Sequence, residues 1–108
     1  MATDIRVVLC TFPDADQAAA VARALVDARL AACVNLIPQV RSIYRWEGKV
    51  SDDAEVLAVI KTTAHRLAAL RERVLALHPY ECPEVIALPV DAGSARYLSW
   101  VADSCDPE

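Results

Sequence analysis

LAACVNLIPQVRSIYRWEGKV, residues 30–50, decides how this chain folds. From Cys33 to Trp46 it reads as one uninterrupted strand, rich in β-branched and aromatic residues, and no turn signal appears before Glu47, Gly48 and Lys49. Gly48 is the residue expected to take a positive φ there. Pro38 lies inside the run and has no N–H to give a ladder, which predicts an edge position or a bulge. A straight strand of that span would reach about 45 Å. A domain of this size is only roughly 34 Å across. The hairpin must therefore curl or project, and a projecting ribbon carries unpaired edges that a partner can satisfy.

Working outward, DIRVVLCTF (residues 4–12) is a first strand ended by Pro13. DADQAAAVARALVDARL follows as a helix, with Asp14 as N-cap and Gln17 at the capping-box spacing. Its row of Ala18, Val21, Ala22, Leu25 and Arg29 puts an apolar stripe toward a core. After the hairpin, EVLAVIKTT is a third strand, and the acidic pair Asp52 and Asp53 decorates the turn before it. Thr62 or Thr63 is positioned to cap a second helix over residues 64–78, with Leu67, Leu70, Val74 and Leu77 facing inward. HPYECPE is a proline-bracketed loop, VIALPVD a fourth strand, and GSARYLSWVADSC a short closing helix after Gly93.

The order β-α-β-β-α-β plus a terminal helix predicts an α+β ferredoxin-like sandwich, a single domain over residues 1–108. Its antiparallel sheet would carry both long helices on one face. The other face should then alternate apolar and polar residues. It does not: Ile5, Val7 and Leu9 point one way while Val8 and Cys10 point the other, and Val56 through Ile60 leave neither side polar. A bare apolar sheet face of several hundred Å² marks an interaction site. The short terminal helix, with Tyr97, Leu98, Trp100 and Val101, covers only part of it, so a homo-oligomer is expected.

A net charge of −4 argues against nucleic acid, which requires a basic face. Arg66, Arg71 and Arg73 read as the solvated face of the second helix. No apolar run is long enough for a membrane span, and no secretory leader is evident, so a cytoplasmic location is expected. Cys10, Cys33, Cys82 and Cys105 form no C-x-x-C pair and read as reduced thiols.

The segments A-C-V-N, Y-x-W-E-G-K and H-P-Y-E-x-P-E, with VIKTT and YLSWV between and after them, resemble the CutA family of divalent-cation-tolerance proteins along nearly the whole chain. The resemblance implies a ferredoxin-like fold, a homotrimer in which the long hairpin extends onto a neighbour, an architecture like that of the PII signal proteins, and a relation to copper or a similar divalent cation. It implies no catalytic activity. Cys10 and His78 match proposed copper ligands, and Leu77 stands where some relatives have a second histidine.

A thiolate with an imidazole suits a soft or borderline metal. The residues alone equally allow a buried inert thiol at Cys10 and a helix-terminal role for His78. Glu81 and Cys82 lie nearby. Tyr44, Trp46, Tyr80, Tyr97 and Trp100, with Glu47, Lys61 and Glu84, could line an intersubunit cleft or pack a trimer interface. A PII-like sensor of a small ligand is thus an alternative to metal handling, although Gly48 and Gly93 supply no phosphate-cradling loop. An acylphosphatase-like enzyme is disfavoured because TFPDAD offers acids rather than an anion-binding arginine. An RRM-like RNA reader would need paired aromatic and basic strand residues that are missing.

Overall fold

The computed structural model describes residues 3–107. Strand β1 (Ile5–Phe12) leads into helix α1 (Ala15–Asp27), strands β2 (Cys33–Trp46) and β3 (Lys49–Thr63), helix α2 (Leu67–Leu77), strand β4 (Ile86–Pro89) and helix α3 (Ala95–Ser104). The four strands form one antiparallel sheet in the order β2-β3-β1-β4, the ferredoxin-like arrangement the sequence predicts.

Alternation along the strands selects the core. Val8, Cys10 and Phe12 of β1 join Val56, Ala58 and Ile60 of β3 in one cluster with Ala18, Val21 and Leu25 of α1 and Leu70 and Val74 of α2. Both long helices therefore cover the same face. Register places Leu88, Val7, Lys61 and Cys33 in one row across the opposite face, and Ile86, Leu9, Val59 and Asn35 in the next. That face stays open: Ile37, Ile86 and Leu88 are 45%, 51% and 47% exposed. α3 packs Val101 and Cys105 against Ile5 and Ala32, closing one end of the sheet. Tyr97 and Trp100 tilt against each other at 5.6 Å on its exposed side.

Pro38 marks a bulge, as expected. The β2–β3 register shifts between Ile37 and Val40, and Gln39 takes φ 58. The turn is tighter than the sequence reading. Glu47 (φ 51) and Gly48 (φ 78) form it alone, the two positive φ values of a type I′ hairpin, and Lys49 already pairs with Trp46. β3 consequently begins well before Glu55, and Asp52 and Asp53 sit inside it. They are tolerated because each has a cross-strand partner. Asp52 takes a two-point contact from Arg41 at 2.9 and 2.7 Å, and Asp53 accepts from the Tyr44 hydroxyl at 2.5 Å. β1 stops where Phe12 meets Val56, so from Glu55 to the turn the hairpin continues as a two-stranded ribbon. The molecule measures 43 × 27 × 22 Å as a result.

The helix ends differ from expectation in instructive ways. Asp14 caps α1 through the Gln17 N–H at 2.8 Å, but the Gln17 side chain returns to the Asp14 carboxylate at 2.7 Å instead of completing a reciprocal box. Arg66 does not belong to a solvated face. Its guanidinium donates to the Arg29 and Ala28 carbonyls at 3.1 and 3.3 Å, satisfying the end of α1 where the chain turns through Arg29 at φ 58. The second helix opens as a 3-10 turn over Ala64–Arg66, and Thr63 gives no side-chain cap. The Ala64 N–H bonds to Asp4 O at 2.8 Å instead. Leu77 is 46% exposed rather than core-facing, because His78 takes extended backbone ahead of Pro79, as residues before proline prefer. β4 is shorter than VIALPVD, limited to the residues that pair with Arg6–Leu9.

Nothing lies within 4 Å of a Cβ built on Gly48, so its replacement is resisted by backbone conformation alone. Gly48→Ala is expected to cost about 1 kcal/mol, with the same fold by circular dichroism. Urea unfolding of the two proteins measures it.

Candidate functional site

Helix α2 delivers His78 to the end of β1. The ring is 8% exposed and stacks on Phe12 at 4.5 Å with an interplanar angle of 17°. Its Nε2 lies 2.8 Å from Thr11 O and its Nδ1 accepts the Tyr80 N–H at 3.0 Å. A carbonyl only accepts and an amide N–H only donates, so the Nε2–H tautomer is fixed and both ring nitrogens are in use. Cys10 reaches the same carbonyl from below, Sγ to Thr11 O at 3.9 Å. Burial, reinforced by the charges of Glu84 and Glu55, pushes its thiol up to about 12.

The fold thus brings Cys10 and His78 to one oxygen, although sequence spacing gives no hint of it. As a metal pair they do not fit in this conformation. The thiol is held protonated, the imidazole has no free lone pair, and no third ligand converges on them among the described residues. In this structure His78 instead ties Tyr80 of the following loop to Thr11 of β1.

This anchorage builds a cleft. The loop faces the base of the ribbon across a cavity of about 770 Å³ whose lining includes Tyr44, Trp46, Glu55, Tyr80 and Glu84. Glu55 is 8% exposed and takes the Tyr80 hydroxyl on Oε2 at 2.6 Å. Partial burial and that carboxylate raise the Tyr80 phenol well above its ordinary range. The Tyr44 phenol, bonded to Asp53, is raised as well. Arg41 is the one cation among the described lining residues, and Asp52 holds it in an ion pair.

Of the residues expected to share a cleft, Tyr44, Trp46, Tyr80 and Glu84 do so, together with the neighbouring Glu81 and Cys82. The other four lie elsewhere in a single chain. Glu47 is in the hairpin turn. Lys61 sits about 20 Å further along β3, paired with Val7 and Cys33 and bonded to Asn35. Tyr97 and Trp100 ride on α3 at the Ile5 end of the sheet, opposite the cleft. Sequence reasoning missed Glu55 and Arg41. Glu55 opens the run EVLAVIKTT just after the acidic pair Asp52 and Asp53, and nothing in that spacing sets it apart from them.

An α+β sandwich with a hairpin outrunning its sheet and an acidic, aromatic-walled cleft beside the hairpin defines a ferredoxin-like protein with a projecting two-stranded ribbon. Residues 6–104 match the family described as CutA1 divalent ion tolerance protein, and the chain belongs to that family. It is 51% identical over 98 residues to the divalent-cation tolerance protein CutA of Thermus thermophilus, covering 91% of this chain and 95% of that one. It is 56% identical over 91 residues to protein CutA of Mus musculus, covering 84% of this chain. The chain spans about half the length of that animal relative, 51%. Among solved structures, CutA from Xylella fastidiosa superposes with a TM-score of 0.94 at 41% identity, covering 96% of this chain and 100% of that one. The Thermus thermophilus protein gives 0.90 at 50% identity, with 93% and 97% covered.

Two outcomes are expected from the anchor. The Cys10 thiol lies at about 12 when folded against an ordinary 9.0. Its contribution to stability is therefore complete below the ordinary value and is lost as pH rises through the folded one. Urea unfolding across that alkaline range should show a fall that Cys10→Ala lacks. His78→Ala removes two hydrogen bonds and a stacked ring, and should cost about 3 kcal/mol in the same measurement.

Proposed function

We propose that this chain acts without enzymatic turnover, as a cytoplasmic homotrimer that handles divalent cations, copper among them. The observation that carries the assembly is the open sheet face. Val7, Leu9, Leu57 and Val59 lie on it, and Ile37, Ile86 and Leu88 remain about half exposed there. Burying each such side chain against another copy is worth about 1.5–3 kcal/mol, and three copies close that face under cyclic symmetry. The exposed ribbon, with Ile43 65% and Val50 67% accessible, supplies the arm that lies on a neighbour.

The cation relation rests on family membership and on relatives named for divalent-cation tolerance, not on Cys10 and His78. Four free cysteines, with no disulfide between them, favour a reducing compartment. Relatives are described as periplasmic in Archaeoglobus fulgidus and chloroplastic in Arabidopsis thaliana. A second reading, a PII-like sensor of a small ligand, is favoured by the cleft of about 770 Å³, which lies within the usual size of ligand pockets.

Sedimentation at micromolar concentration should give a trimer, and Val59→Glu with Leu88→Glu should give folded single subunits or no folded protein. A stable wild-type single subunit would overturn the assembly. Calorimetric titration with Cu²⁺ should give saturable binding that survives Cys10→Ala. Absence of binding in the wild type would overturn the cation reading.

A further inference from the structure

The ribbon leaves the sheet at a junction where both of its strands change at once. On β2 the register shifts between Ile37 and Val40, and Gln39 takes φ 58 without being a glycine. A bulge of this kind bends its strand and leaves a residue unpaired. On β3 the last pairing with β1 is that of Val56 with Phe12. Glu55 is therefore the first β3 residue without β1 beside it, and its β2 partner is Val40, the first pair past the bulge. The sheet loses a strand and the ladder bends at the same level.

What holds the ribbon at that level comes from the loop of residues 79–85. The Tyr80 hydroxyl donates to Glu55 Oε2 at 2.6 Å, the length of a strong hydroxyl–carboxylate bond, and Glu55 is buried. Among the described residues this is the one side-chain hydrogen bond that joins residues 40–55 to the rest of the chain. Arg41 with Asp52 and Tyr44 with Asp53 stay within the ribbon. Packing adds little further out, since a cavity of about 770 Å³ separates loop and ribbon and Tyr44 and Trp46 remain exposed. Tyr80 is itself fixed from behind. Its amide donates to His78 Nδ1 at 3.0 Å, and its ring lies 4.8 Å from the imidazole, which bonds in turn to Thr11 O of β1.

We propose that Tyr80 is a positioning residue for assembly: its bond to Glu55 is a latch that sets the direction in which the ribbon projects, so that the arm meets its neighbour in one geometry. This rests on the assembly reading and names the contact that orients the arm. Two strands alone are marginal in water, and a left-handed residue other than glycine stores strain, so a bulged ribbon without the latch can swing about its base. Latched, it is a preformed arm. Unlatched, it has to be ordered each time two copies associate, and that ordering is a cost that binding must offset.

The test compares the full-length wild type, Tyr80→Phe and Glu55→Gln by sedimentation, by subunit exchange between tagged and untagged assemblies, and by amide hydrogen exchange. Tyr80→Phe keeps the ring and removes only the donor. It should speed subunit exchange about tenfold and accelerate hydrogen exchange at residues 50–54, while the amides of β1 and of residues 57–63 keep their wild-type rates. Glu55→Gln keeps an acceptor and should fall between Tyr80→Phe and the wild type. Unaltered rates in Tyr80→Phe, with the wild type assembled, would overturn the latch and leave the assembly standing. The latch would equally be overturned by faster exchange in Glu55→Gln than in Tyr80→Phe, or by equal acceleration of ribbon and sheet amides, which marks general destabilisation. Single wild-type subunits in sedimentation would overturn the assembly reading, and hydrogen exchange at residues 50–54 would then decide the latch by itself.

Discussion

Strand β3 is paired on two sides over unequal lengths, and most of the molecule follows from that inequality. From Val56 onward it lies between β1 and β2, inside a sheet backed by two helices. Before Val56 it has β2 alone. A two-stranded ribbon is marginal by itself in water, so this one depends on local devices. The tight Glu47–Gly48 turn sets its register, the Pro38–Gln39 bulge turns it relative to the sheet, and the Arg41–Asp52 and Tyr44–Asp53 contacts tie its strands together. Each device is local, and together they fix the ribbon's shape.

The point where β1 gives out is also where the site forms. His78 stacks on Phe12, the last residue of β1, and bonds to the carbonyl of Thr11 beside it. Through its other nitrogen it holds the Tyr80 amide, and Tyr80 in turn reaches Glu55, the first ribbon residue beyond the β1 pairing. One imidazole thus links the loop, the sheet and the ribbon. His78 acts here as a strut, with both ring nitrogens hydrogen-bonded to backbone. Cys10 follows the same logic. Its position under the Thr11 carbonyl and the nearby carboxylates make it a protonated, packed side chain rather than a thiolate.

The open sheet face and the cleft are different kinds of surface. The face is apolar and broad, with Lys61 as the cation among its central residues, and such area is satisfied by more protein. The cleft is acidic and walled by aromatic groups.

The sequence alone carried the strand and helix order, the bulge at Pro38, the Asp14 cap and the apolarity of both sheet faces. All of these depend on side-chain period or on the backbone chemistry of a single residue, which neighbours in the chain reveal. It also carried part of the cleft, since Tyr44 and Trp46 share one ribbon face by simple alternation and Tyr80 and Glu84 share one loop. Tertiary structure decided the rest. Tyr80 meets Glu55 across 25 positions and His78 meets Thr11 across 67, contacts set by where β1 ends and how the loop crosses it. The same geometry carried Lys61, Tyr97 and Trp100 away from that cleft within one chain and turned Leu77 outward in favour of His78. Periodicity says which way a residue points, but only the packed sheet determines what stands opposite it.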